Sequence, residues 1–217
     1  MTDTREVEAK FDIDPDGIRR LEDIAVIGDF RVTSRRNVSQ DDLYFDTQNQ
    51  ALAAASASLR LRRKSDVAQM TFKGRRDIAI SESEAHIASR LEDEQFVSSA
   101  VAARISAGIW HPEDDRLSPV ARARIIAENE DMLPLARLEN DRVVVMLSND
   151  DGLELELAID TCRGSRLSDG RVTRFHELEL EAMSAGREAL IAVACELQAI
   201  VPGVRPNHRT KLERVLQ

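Results

Sequence analysis

The feature that most restricts this chain is a set of segments in which apolar residues alternate with charges of one sign. Glu6, Glu8 and Lys10 share one face of Glu6-Val7-Glu8-Ala9-Lys10-Phe11, and Arg60 and Arg62 share a face of Leu59-Arg60-Leu61-Arg62. Thr71, Lys73 and Arg75 follow in the next segment, then Glu82 and Glu84, then Glu154, Glu156 and Asp160, then Glu177, Glu179 and Glu181. Period-two alternation is the signature of a strand with two unlike faces. A solvated sheet face accounts for any single strand of this kind. It accounts poorly for the set, because like charges at i and i+2 repel unless something of opposite sign sits among them. A multiply charged anion would neutralise the arginine and lysine strands, and a divalent cation the carboxylate strands. A closed barrel with a charged interior meets both needs, and its apolar face then points outward, where helices can cover it.

The remaining segments fit an α+β chain of one domain, residues 1–217. Pro15 opens a helical face through Ile18, Leu21 and Ile24 that ends at Gly28. Strands are expected at Arg31–Ser34, Asp42–Asp46, Ser58–Lys64, Ala68–Arg75, Ile78–Ile87, Ala136–Ser148, Gly152–Thr161 and Val172–Met183. A helical insertion is expected at about 90–131, with Trp110 as a packing residue and Arg122 and Arg124 on a solvated face. A final helix runs from Gly186 to Ile200. About 40 residues rarely sustain a core alone, so the insertion is not a second domain.

Composition narrows the function. With 30 Lys and Arg against 39 Asp and Glu, the net charge of −9 argues against nucleic acid as a partner. No stretch approaches the ~20 apolar residues of a membrane span. Met1 to Lys10 has no apolar leader segment, so a cytoplasmic location is expected. Cys162 and Cys195 are expected as small core side chains. His86, His111, His176 and His208 do not pair at metal-ligand spacing. Gly164–Gly170 lacks the lysine and the following helix of a phosphate loop and is expected to join two strands.

Arginine forks match phosphate oxygens, and carboxylates suit Mg²⁺ or Mn²⁺ bridging to phosphate. The alternation alone therefore points to a metalloenzyme handling a triphosphate.

The order of motifs adds a resemblance. Glu6-Val7-Glu8-Ala9-Lys10 is similar to the ExExK signature of the CYTH superfamily, the triphosphate tunnel metalloenzymes. Tyr44-Phe45-Asp46-Thr47, Leu59-Arg60-Leu61-Arg62, Thr71-Phe72-Lys73-Gly74, Asp141-Arg142, Glu156-to-Asp160, Glu177-to-Glu181 and Arg209-Thr210-Lys211 resemble its later motifs in order. Thr210-Lys211 stands where the family often has Ser-Lys.

The resemblance implies an eight-stranded antiparallel tunnel with substrate and metal inside. It implies Glu6, Glu8 and Lys10 as catalytic, and Lys10, Arg60, Arg62, Lys73, Arg142 and Lys211 as the triphosphate cradle. Glu6, Glu8, Asp160, Glu177 and Glu179 would hold Mg²⁺ or Mn²⁺ or position the attacking water. Glu82, Glu84, Glu156 and Glu181 have the parity of tunnel-lining residues, whereas Arg75 and Glu154 are expected in solvent. The implied activity is hydrolysis of inorganic or a small organic triphosphate. The alternatives are an adenylate cyclase, a thiamine triphosphatase and a non-catalytic polyphosphate-binding module. Oligomeric state is left open, a homodimer included.

Overall fold

The structure, a computed structural model, describes residues 4–80 and 86–217. The chain runs β1 (Thr4–Asp12), α1 (Pro15–Glu22), β2 (Val26–Ile27), β3 (Phe30–Asp46), α2 (Ala51–Ala54), β4 (Ser58–Lys64), β5 (Val67–Ile80) and β6 (His86–Val97). Then come α3 (Ser99–Ser106), a 3₁₀ turn (Pro112–Arg116), α4 (Ser118–Ile126), β7 (Leu133–Ser148), β8 (Glu154–Arg166), β9 (Val172–Ala182), α5 (Arg187–Ile200), β10 (Arg205–Pro206) and α6 (Lys211–Leu216). Eight of the described strands close on themselves in the order β1-β6-β5-β4-β3-β7-β8-β9, every pairing antiparallel, and β1 with β9 completes the ring. Among the described residues no helix is long and apolar enough to cross a membrane.

The alternation sets which side of each strand faces in. Ala9, Phe11, Leu157, Ile159, Leu178 and Leu180 point outward and are buried under α1 and α5, through Leu21, Leu190, Val193 and Leu197. Leu59, Leu61, Met70 and Phe72 do the same under the insertion, through Ala102, Ile105, Val120 and Ala123. A third cluster lies on the inward side. Tyr44, Ala136, Leu138, Cys162 and Phe175 meet Leu212 and Val215 of α6, which plugs one end of the barrel. Gly164 permits that plug, since a Cβ there would stand 2.1 Å from Val215 Cγ2. α1 starts as its sequence dictates, with the Asp14 carboxylate accepting from Gly17 N at 2.7 Å and Pro15 in the first turn.

The structure corrects four expectations. Helix does not begin at residue 90, because β6 continues to Val97 and the helical insertion is confined to 99–126. The strand expected at Ile78–Ile87 is divided between β5 and β6, and Glu82 and Glu84 lie outside the described residues. Arg31–Ser34 and Asp42–Asp46 are two ends of one 17-residue strand, β3, paired with β7 along its length. α1 stops at Glu22, short of Gly28.

Arg122 and Arg124 are also more than a wet face. Arg122 Nε donates to Asp93 at 2.7 Å, and Arg124 lies 5.6 Å over the Trp110 ring and donates to Glu130 O at 2.6 Å. Trp110 packs as expected, edge-on to Phe45, with its Nε1 donating to Met132 O at 2.9 Å. Arg75 and Glu154 are exposed, again as expected.

Candidate active site

The inward faces enclose a cavity of about 230 Å³. Among the described residues nine cationic side chains and six glutamates line it, so the space itself favours an anion. Every strand of the ring except β8 and β9 supplies at least one cation, and Lys211 enters from the first turn of α6. Three further carboxylates, Asp42, Asp160 and Glu177, stand behind the cations with no solvent exposure at all.

Each buried charge is held by an opposite one. Arg62 grips Asp42 through Nε and Nη2, both at 2.6 Å. Arg142 forks onto Asp160 with two bonds of 2.7 Å and reaches Glu179 as well. Lys211 Nζ sits among Glu177 (2.6 Å), Glu179 (2.7 Å) and Asp160 (2.9 Å). Lys10 contacts Glu179 and lies 3.5 Å from Glu8. Arg90 donates to Glu6 at 2.7 Å and Glu8 at 3.1 Å, while Lys73 bridges Glu6 and Glu92, each at 3.0 Å. Arg60 is the exception. Its three carboxylate neighbours lie 3.5 to 3.9 Å away, and its buried Nε has no hydrogen-bond partner. A buried guanidinium N–H left so is available to the oxygen of an incoming anion.

The pairing sets the protonation states. Burial alone would raise Glu6, but Lys73 and Arg90 outweigh it and hold the carboxyl below its ordinary range. Burial likewise opposes Arg62 and Arg60 at Asp42, and the two guanidinia win, bringing it down to about 2. Burial works against the charge of Lys10 and of Lys211, yet Glu179 beside the first and Asp160 beside the second raise both ammonium groups. Glu181 differs. Burial, with Glu6 and Glu8 as like charges, pushes it up to about 8. Its register neighbours are Glu8 on β1 and Glu156 on β8, a row of three carboxylates across adjacent strands.

Of the residues singled out in the sequence, Glu6, Lys10, Arg60, Arg62, Lys73, Arg142, Glu156, Glu179, Glu181 and Lys211 line the cavity. Glu8, Asp160 and Glu177 are buried one layer back, in contact with cations that do. The five expected metal carboxylates do not form one group. Asp160, Glu177 and Glu179 offer oxygens within 4.8 Å of one another, whereas Glu6 and Glu8 are tied together by Arg90. The trio is an all-oxygen, all-carboxylate donor set, which fits a hard divalent cation such as Mg²⁺ or Mn²⁺. His111, His176 and His208 do not line the cavity.

Sequence reasoning missed Arg90, Glu92, Glu94, Asp42, Arg36 and Lys64. Arg90, Glu92 and Glu94 share parity, but of the outward residues Leu91, Asp93 and Gln95 only the first is apolar. The other two serve α4 instead, Asp93 accepting from Ser118 Oγ at 2.8 Å and Gln95 from Ser118 N at 3.0 Å. That erased most of the apolar half of the alternation. Asp42 could have been found from its i+2 spacing to Tyr44 and its place opposite Arg62.

Comparison with known proteins agrees with this architecture. The CYTH domain family matches residues 4–216. No curated protein sequence matches the chain. Among solved structures, HpAC1 of Hippeastrum, assigned as an adenylyl cyclase with a dominant triphosphatase activity, superposes with a TM-score of 0.66 at 19% identity over 95% of this chain and 93% of its own. A Bacillus halodurans protein assigned as an adenylate cyclase gives 0.65 at 20% identity, with both chains fully covered. The capping-enzyme triphosphatase of Mimivirus gives 0.55 at 14% identity over 92% of this chain and 90% of its own. At such identities the likeness is one of fold. With nearly every residue inside the family match and the same closed barrel in its relatives, this chain belongs to the CYTH domain family.

Proposed function

We propose that the protein is a metal-dependent triphosphatase that hydrolyses inorganic triphosphate or a small organic triphosphate inside the barrel. The observation that carries this reading is the excess of cations facing the cavity, with the carboxylates set behind or beside them. The triphosphatase activities of the Hippeastrum and Mimivirus relatives support it. Arg60, Arg62, Lys73, Arg142, Lys211 and Lys10 would exchange their carboxylate partners for phosphate oxygens, a trade between charge-assisted bonds of similar strength. Asp160, Glu177 and Glu179 would hold Mg²⁺ or Mn²⁺, which when bound neutralises charge on the transferred phosphoryl group. Glu6, kept ionised by Lys73 and Arg90, accepts a hydrogen bond from the attacking water, and Glu8 holds Arg90 in place for it. Two free thiols, Cys162 and Cys195, suit the cytoplasmic location that belongs to this reading.

The test is phosphate release from triphosphate with and without Mg²⁺ or Mn²⁺, with ATP and thiamine triphosphate in parallel. Glu6→Gln and Glu8→Gln should each lower kcat by about 10²-fold or more while circular dichroism shows the fold intact. Full activity in both variants would remove the assignment. The cyclase assignments of two relatives favour a second reading, which cyclic AMP and pyrophosphate as products from ATP would establish.

A further inference from the structure

A second cavity, of about 310 Å³, adjoins the tunnel beside α6. Ser58, Lys73, Arg90, Thr210 and Leu212 line both spaces, so the two adjoin along these residues. The rest of the chamber is bounded by Gly74, Arg75 and Arg76 of β5, by Ala53 of α2 with Ser56 and Ala57 after it, and by Glu213 and Leu216 of α6. Among the described residues four of its side chains are cationic and one is acidic, and none is aromatic.

A β-bulge produces this arrangement. Lys73 pairs with Glu92 and Arg76 with Arg90, three steps along β5 against two along β6. In a regular strand, residues 73 and 76 would face opposite ways. The extra residue restores a common side, so Arg76 joins Lys73 toward the interior, with only 14% of its side chain exposed. The bulge also sets Arg76 directly opposite Arg90, a like-charge cross-strand pair that is unfavourable unless an anion lies between. Arg90 has two close carboxylates. The ion pair of Arg76 is to Glu213 at 3.3 Å, and that same Glu213 oxygen already caps α6 by accepting from Thr210 N at 2.5 Å.

Resting on the triphosphate reading above, we infer that this chamber is an additional anion subsite, in which Arg76 binds the fourth phosphate of a linear polyphosphate whose first three occupy the tunnel. The four cations supply the charge, and the small side chains of Ala53, Ser56 and Ala57 leave the room. Without an aromatic surface the chamber offers a nucleobase no stacking partner, so inorganic chains of four or more phosphates are its substrate class.

The test compares triphosphate, tetraphosphate and ATP as substrates of the wild-type protein, Arg76→Ala and Arg76→Gln, with thermal melts of all three proteins. Loss of one charge-assisted contact should lower the tetraphosphate-to-triphosphate ratio of kcat/KM by about tenfold in both variants, and Arg76→Lys should recover part of it. An equal fall on both substrates, no change in the ratio, or a fall greatest for ATP would overturn the proposal. Calorimetric binding of tri- and tetraphosphate in EDTA separates this failure from that of the hydrolase reading, since it needs no turnover. Tighter binding of tetraphosphate by the wild type, lost in Arg76→Ala, supports the subsite even in an inactive protein. Equal affinities count against it.

Discussion

The barrel interior is filled in two unlike ways. At the α6 end the inward side chains of Ala136, Leu138, Cys162 and Phe175 pack against Leu212 and Val215. One or two inward positions further along the same strands, Asn140, Arg142 and Asp160 carry the polar network of the cavity. Strand geometry is shared by the two regions, so the difference lies in side-chain chemistry. The apolar end gains stability from burial at ~25 cal/mol per Å². The charged section gains little net stability from its buried pairs, since desolvation offsets attraction. The plug adds apolar packing across one end of the ring, and the charged section leaves the cavity open.

The largest way to break this contrast is to remove one cation from the charged section. Lys211→Ala leaves Asp160, Glu177 and Glu179 facing one another without their shared partner and should destabilise the protein by about 3–5 kcal/mol in urea unfolding. Millimolar Mg²⁺ should return part of that loss if the trio takes a metal. A variant as stable as wild type without metal would mean that the pairs are not coupled.

At the plug, Gly164→Ala drives a methyl group into Val215 and should cost about 1–3 kcal/mol. Val215→Ala in the same chain should recover part of this, and a double-mutant cycle with no coupling would refute the contact.

The smallest expected effect tests the carboxylate row. Glu181 has a folded pKa of about 8 against an ordinary 4.5, so the unfolded chain releases its proton more readily and stability falls as pH rises from about 4.5 to 8. Glu181→Gln should therefore stabilise the protein by about 1–2 kcal/mol at pH 8, allowing for solvent screening, with no gain at pH 4. A pH-independent difference would show that Glu181 titrates in the ordinary carboxylate range.

The same contrast explains what could be read in the sequence. Charged-in, apolar-out alternation is clean in β1, β4, β8 and β9, and those strands carry most of the cavity residues legible in the sequence. β6 hid its register because Asp93 and Gln95 bind a helix where an aliphatic face was expected. β3 was seen only at its ends, because much of its middle is exposed and polar and carries no alternation. The plug was invisible for the opposite reason. Around Leu138 and Phe175 the alternation is reversed, with apolar side chains inward and Arg137, Glu139, Arg163 and Arg174 exposed outside, so a charged-in rule puts these residues on the wrong side of the ring. Arg76 was missed because a bulge reverses parity, and parity was the guide.

Closure of the ring between β1 and β9 has a consequence for how the chain is made. The residues that meet there are far apart, Lys10 opposite Glu179 and Glu8 opposite Glu181, and Lys211 joins them later still. A chain emerging from the ribosome has β1 well before β9. Until β9 is made, the edge of β1 that will receive it has no partner. Contacts this distant in sequence make for slow folding, and unpaired edges invite association between chains. Glu6, Glu8 and Lys10 along that edge are charged side chains of the kind that discourage such pairing.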